Sequence, residues 1–136
     1  MDPKLGEYKM SDFEANPENY KNIHSSTLLD YYKRHKLNPV PLPIETESEW
    51  NDHIKRRKNL YERHLKIPVS FFSGKDVIEF GCNSGENSLY LAFLGAELTL
   101  VEPNEEVHPR LIKLFRKHNK ENKIRELASL SINEFR

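Results

Sequence analysis

The sequence predicts an α/β fold built on parallel strands, and three observations predict it. The run Asp76-Val-Ile-Glu-Phe80 holds the β-branched pair Val77 and Ile78 and is opened by Gly74-Lys75, which is the pattern of a buried strand. Gly81 to Gly85 is a turn, and beyond it the spacing becomes helical: Leu89, Ala92 and Phe93 share one face, with Tyr90, Leu91 and Leu94 widening it. Gly95 then stands where a left-handed C-terminal cap is expected. A second strand carries Leu98, Leu100 and Val101 to an acidic end at Glu102. Strand, turn, helix, strand, carboxylate is the plan of half a nucleotide-binding sheet. The acid lies about 20 residues beyond the first glycine, where it can accept two ribose hydroxyls.

Taken in order, the chain begins with a polar, mildly acidic arm over residues 1–24 whose few apolar anchors include Phe13 and Tyr20. Ser25 or Ser26 can cap a helix to about His35, with Leu28, Leu29, Tyr31 and Tyr32 as its apolar surface. Leu37 to Pro43 contains three prolines and must be an extended connector. Thr46-Glu-Ser-Glu49 is a capping box that starts a helix running to about Leu65. At 100° per residue, Trp50, Ile54, Leu60, Tyr61 and Leu65 fall on one arc. Arg57 lies inside that arc, so it points toward the core side and needs a partner, for which a carboxylate is the best match. Two readings stand beside each other: Arg57 with Tyr61 reaches a ligand's carboxylate from a helical lid, or Arg57 forms an internal ion pair or snorkels to water. His53 and His64 share the arc but are too far apart along the helix for one metal, so they are packing or rim residues.

Ile67 to Phe72 is an apolar connector expected to pack under the sheet edge before Gly74. After Glu102, Pro103 and Asn104 open the next crossover, and Pro109 places a helix start between Glu106 and Pro109. Leu111, Ile112, Leu114 and Phe115 occupy one side of it and Lys113, Arg116, Lys117 and Lys120 the other. A nucleic-acid site would interleave exposed aromatics on that basic side as stacking platforms, and there are none. A short third strand is expected near residues 124–128.

The spacing of the turn decides which nucleotide it suits. A dinucleotide fingerprint G-x-G-x-x-G starting at Gly81 would require glycine at Asn83 and Glu86, and a carboxylate at Glu86 would repel phosphates. Read instead as Glu79-x-Gly81-x-Asn83-x-Gly85, the turn resembles the first motif of class I S-adenosylmethionine-dependent methyltransferases. Asn83 replaces the central glycine, which is tolerable because asparagine is the residue besides glycine most at ease with positive φ. The resemblance covers roughly residues 75–131. It implies a Rossmann-like three-layer sheet that binds S-adenosylmethionine, with Glu79, Phe80, Gly81, Cys82, Asn83, Ser84 and Gly85 around the amino-acid end of the cofactor and Glu102 on the ribose. It further implies Pro103 against adenine, and Ser129 and Leu130 where the family often has an acidic residue for the adenine amino group. Arg57 and Tyr61 join these as candidates from the lid. No catalytic base and no metal ligand set is assignable.

Composition sets the remaining bounds. At 136 residues, 37% hydrophobic and 31% charged, the chain is one soluble domain's worth. Its formal net charge of zero offers no overall field for nucleic acid or an anionic membrane. Cys82 is the single cysteine and cannot form an internal disulfide, no apolar run reaches membrane-spanning length, and the N-terminus lacks signal-peptide form, so a cytoplasmic location is expected. The expected division is an N-terminal arm and helical lid over residues 1–73 and the first half of a Rossmann-like domain over 74–136. With only three strands before Arg136 the sheet is expected to be incomplete, either the front part of a longer methyltransferase or a chain that completes its core as a homodimer. The neutral charge favours a small-molecule or glycan-type acceptor. The alternatives are a nucleotide-binding module of NAD type and a non-catalytic interaction module.

Overall fold

The structure, a computed structural model, describes residues 44–130 and Glu134. The polar arm, the helix expected from Ser25 or Ser26, and all of the proline connector up to Pro43 lie outside the described residues.

Helix α1 spans Glu47–Asn59 and starts as the sequence dictates. Glu49 N–H donates to Thr46 Oγ1 at 3.2 Å and Thr46 N–H donates to Glu49 Oε2 at 2.9 Å, so two orphan donors are satisfied reciprocally. The backbone N–H groups of Thr46 and Glu45, both donating to Glu49 Oε2, hold that carboxyl below its ordinary value. Leu60–His64 continue the helix as a wide π turn, closed by Leu65 N–H donating to Leu60 O at 2.9 Å. This turn corrects the expected apolar arc. A wider turn shifts the angular register of the residues after it, and Leu65, expected on the core side, is 52% exposed. A 3-10 turn over Val69–Phe72 then buries Phe72.

Three parallel strands form the sheet in the order β1-β2-β3: β1 Asp76–Phe80, β2 Glu97–Val101 and β3 Ile124–Ala128. Between them run α2, Glu86–Phe93, and α3, His108–Lys117, the latter entered through a 3-10 turn and carrying Pro109 in its first turn. One core cluster joins Leu98 and Leu100 of β2 to Leu89, Leu91 and Ala92 of α2, Leu111 and Phe115 of α3, and Phe72. Val77, Leu127, Trp50 and Tyr61 pack against it. Successive strand residues face opposite ways, so these helices cover the face that presents Val77, Leu98, Leu100 and Leu127. The described elements thus make two of the three layers of a Rossmann-like sandwich.

Two expectations are corrected by this arrangement. Among the described residues the first strand is not buried: Ile78 and Phe80 lie on the face away from the described helices, 53% and 43% exposed, and β1 stands at one end of the described three-strand order. Phe93 does not share the buried face of α2. Leu89, Tyr90, Leu91 and Ala92 are all buried between the sheet and the neighbouring helices, whereas Phe93 is 46% exposed and rests edge-on against Trp50, ring centroids 5.7 Å apart. On the basic side of α3 Arg116 pairs with Glu121 and Lys117 with Glu45, and beyond it Lys123 and Arg125 both pair with Glu97.

Candidate functional site

Register alone gathers the strand ends. Phe80 is level with Val101, and Val101 with Ala128, so Gly81, Glu102 and Ser129 leave the sheet side by side at its carboxyl end. The ladder extends one step further, with Gly81 N–H donating to Val101 O at 2.8 Å and Glu102 N–H to Ala128 O at 2.9 Å. This is the edge of an α/β sheet at which ligands are bound.

The turn after β1 uses three positive φ values, at Gly81 (69°), Asn83 (51°) and Gly85 (87°). The two glycines do different things. A Cβ on Gly81 would meet nothing within 4 Å, so its surface is open to a ligand. A Cβ on Gly85 would stand 2.7 Å from Leu111 Cγ and 3.3 Å from Phe115 Cε2, so this glycine exists to let α2 begin against α3. Asn83 adopts the left-handed conformation expected of it and donates from Nδ2 to Gly81 O at 3.2 Å. Cys82 and Ser84 turn their side chains inward. Cys82 is buried, and burial, aided by the charges of Glu79 and Glu102, pushes its thiol up to about 12. Ser84 Oγ is buried and donates to Glu86 Oε1 at 2.6 Å. Both can present only backbone to a ligand.

Glu102, 4% exposed, ties the turn to the second strand. Its Oε2 accepts Asn83 N–H at 2.8 Å and its Oε1 accepts Asn104 N–H at 2.8 Å, while His108 Nε2 sits 2.8 Å from the Glu102 carbonyl and must be the donor there. A carboxylate has about four acceptor sites, so two remain for hydroxyls. Glu79, half-buried, is held from α2: Ser88 Oγ donates to its Oε2 at 2.6 Å and Asn87 Nδ2 to its Oε1 at 2.9 Å.

The remaining candidates are less closely joined. Pro103 is half-buried beside Glu102, and Ser129 and Leu130 are exposed just past β3. Tyr61 donates to Asn87 Oδ1 at 3.1 Å, so it meets Glu79 at one remove. Arg57 is half-buried, its charge is felt at His53 and Tyr61, and it makes no ion pair among the described residues. A cleft of about 450 Å³ lined by Ile44, Ser84, Glu86, Arg110 and Lys113 borders the turn through Ser84, but Glu79, Gly81 and Glu102 are not in its wall. Among the described residues no group of three or more His, Cys, Asp or Glu side chains is placed to hold a metal ion, and no helix is long and apolar enough to cross a membrane.

Sequence reasoning missed Asn87, Ser88, Asn104, His108 and the role of His53. Ser88 carried a signal, being a polar residue ahead of an apolar helical run and close behind the motif acid. His53 is 1% exposed and holds the Glu86 carbonyl at 2.8 Å, thirty-three residues along the chain, which no local pattern reveals.

A family model described as tellurite resistance protein TehB matches residues 48–136, a span that contains every candidate site residue. No curated protein and no solved structure matches the chain.

Proposed function

Since the chain belongs to the tellurite resistance protein TehB family, a family of S-adenosylmethionine-dependent methyltransferases, we propose that it binds S-adenosylmethionine across the carboxyl ends of β1 and β2. The observation that carries this reading is the bond from Asn83 N–H to Glu102 Oε2, which joins the glycine turn and the strand-end acid into one wall. The residues fit the group: Gly81 leaves open space where a ligand would approach, and Glu102 keeps acceptor sites for two ribose hydroxyls. In this reading Glu79 and the backbone of Phe80, Gly81, Cys82, Asn83, Ser84 and Gly85 cradle the amino-acid end, Pro103 borders adenine, and Ser129 and Leu130 receive its edge. Arg57, which has no ion-pair partner among the described residues, faces the cofactor's carboxylate or an acidic acceptor.

The bound cofactor supplies a methyl group already activated by sulfonium, so transfer requires in-line placement of an oxygen, nitrogen or carbon nucleophile. The protein's part is to hold the cofactor still and exclude water. The acceptor is a small molecule or a glycan-type compound. Neutral charge and the pairing of the basic residues on α3 and beyond support that class over nucleic acid, and a family named for resistance to tellurite accords with a small acceptor.

Isothermal titration of the 136-residue chain with S-adenosylhomocysteine, S-adenosylmethionine and NAD tests the reading. Micromolar binding of the first two and none of NAD is expected. Binding of NAD without S-adenosylhomocysteine would overturn it.

A further inference from the structure

Helix α1 and the π turn that continues it touch the first turn of α2 at two consecutive residues. His53 Nε2 lies 2.8 Å from Glu86 O, and Tyr61 Oη donates to Asn87 Oδ1 at 3.1 Å. The first contact identifies the tautomer: a carbonyl only accepts, so Nε2 carries the proton, and Nδ1, buried with no partner among the described residues, is the bare nitrogen. The second contact does not end at Asn87. The same amide donates from Nδ2 to Glu79 Oε1 at 2.9 Å, and Ser88 Oγ holds Glu79 Oε2 at 2.6 Å.

We propose that Tyr61 is a positioning residue for the Glu79 carboxylate, acting through the side-chain amide of Asn87. The proposal rests on the reading of Glu79 as part of the cofactor wall. An asparagine amide has one accepting and one donating end, and here each end has a partner of opposite kind. Turning the amide over would set its oxygen against the Glu79 carboxylate, so Glu79 takes the donating end, and the phenol, donating to the oxygen left over, holds the amide in the plane from which it reaches the carboxylate. The phenol is itself fixed. Its ring stacks on Tyr90 at 6.0 Å between centroids and meets Phe72 edge-on at 5.2 Å, and burial pushes its ionisation up, keeping the hydroxyl a donor. Tyr61 also sits in the π turn, where Leu65 N–H reaches back to Leu60 O and Ile67 N–H bonds to Tyr61 O at 2.8 Å. Wide turns of this kind occur mostly as single insertions and frequently at functional sites. The path from α1 to the carboxylate is therefore two hydrogen bonds long, with packed rings at one end and the Ser88 hydroxyl at the other.

A carboxylate in this place acts on the ammonium of the cofactor's amino-acid portion and little on its adenosine. Titrations of wild type, Tyr61→Phe, Asn87→Ala and the double variant with S-adenosylhomocysteine and with adenosine read the proposal. Tyr61→Phe should weaken S-adenosylhomocysteine binding by about 3- to 10-fold, the loss of one neutral hydrogen bond, with adenosine affinity unchanged. In the Asn87→Ala background the tyrosine change should add nothing. Wild-type affinity in Tyr61→Phe, equal losses for both ligands, or additive losses in the double variant would overturn it. If Tyr61→Phe fails to fold, Asn87→Ala alone in the same two-ligand comparison decides. Failure of the wild type to bind S-adenosylhomocysteine would instead count against the cofactor reading.

Discussion

Alanine at Gly85 and alanine at Gly81 should separate packing from binding. Both positions have positive φ, 87° and 69°, so each substitution carries the left-handed cost of about 1–2 kcal/mol. Only at Gly85 does the new methyl collide, 2.7 Å from Leu111 Cγ and 3.1 Å from its Cδ1, and Leu111 and Phe115 are both 0% exposed, so neither can swing into solvent. Overpacking of this kind adds about 1–3 kcal/mol, for a total of about 2–5 kcal/mol. Against the roughly 5–15 kcal/mol of a domain this is a large fraction. Urea unfolding followed by far-UV circular dichroism should show a midpoint lowered by roughly 1–2 M for Gly85→Ala and by about half of that or less for Gly81→Ala. Binding should run the other way, with Gly81→Ala losing more S-adenosylhomocysteine affinity because its methyl occupies the open side of the turn. Stabilities of the two variants within about 0.5 kcal/mol of each other would refute the packing argument.

Glu102→Gln replaces an acceptor of two backbone N–H groups with an amide that opposes one of them. Stability should fall by about 1.5–3 kcal/mol and S-adenosylhomocysteine binding should be lost, whereas a variant that binds normally would remove Glu102 from the site. Burial holds the pKa of His53 and of His118 below the ordinary histidine value, so in the folded state they refuse protons that the unfolded chain accepts. Their contribution to stability is complete above about pH 6.5 and is lost as pH falls from there toward their lowered values. Trp50, the single tryptophan, lies tilted against both rings with centroids 5.8 and 4.7 Å away, so its emission in urea titrations between about pH 7.5 and pH 5 follows the loss directly. A flat profile in that window, or an unchanged slope in His53→Gln and His118→Gln, would refute it. The Cys82 thiol, buried and pushed up to about 12, should resist a thiol reagent at about pH 8 in the folded protein and react fully in urea. Rapid stoichiometric labelling without denaturant would contradict its inward orientation.

Much of the fold was legible because its signals are local. A capping box spans four residues, a positive-φ turn needs glycine or asparagine at particular places, and a strand followed by an acid is read within one hydrophobic run. Thr46, Asn83 and the third strand at residues 124–128 therefore stand where periodicity and turn chemistry put them. Other features escaped because their causes lie elsewhere in the chain. Phe93 matched the helical face, yet the space on that side is filled by Leu89 to Ala92 and the ring is left to Trp50. Ile78 has the composition of a buried strand, but exposure belongs to what covers its face, and among the described residues α2 and α3 lie on the other one. Leu65 fell off its arc because a helix can widen one turn without any mark in the residue pattern.

The site divides in the same way. Residue order by itself determined that a glycine-bearing turn would leave one strand and that an acid would end the next, since backbone conformation and strand length are properties of neighbouring residues. Tertiary structure alone decided that Glu102 grips the turn through Asn83 N–H, that Cys82 and Ser84 face inward, and that Tyr61 reaches Glu79 through Asn87. Side-chain hydrogen bonds depend on distances between segments, and Tyr61 and Asn87 lie 26 residues apart in the chain, Asn83 and Glu102 19 apart. Only packing brings such segments within 3.1 Å of each other.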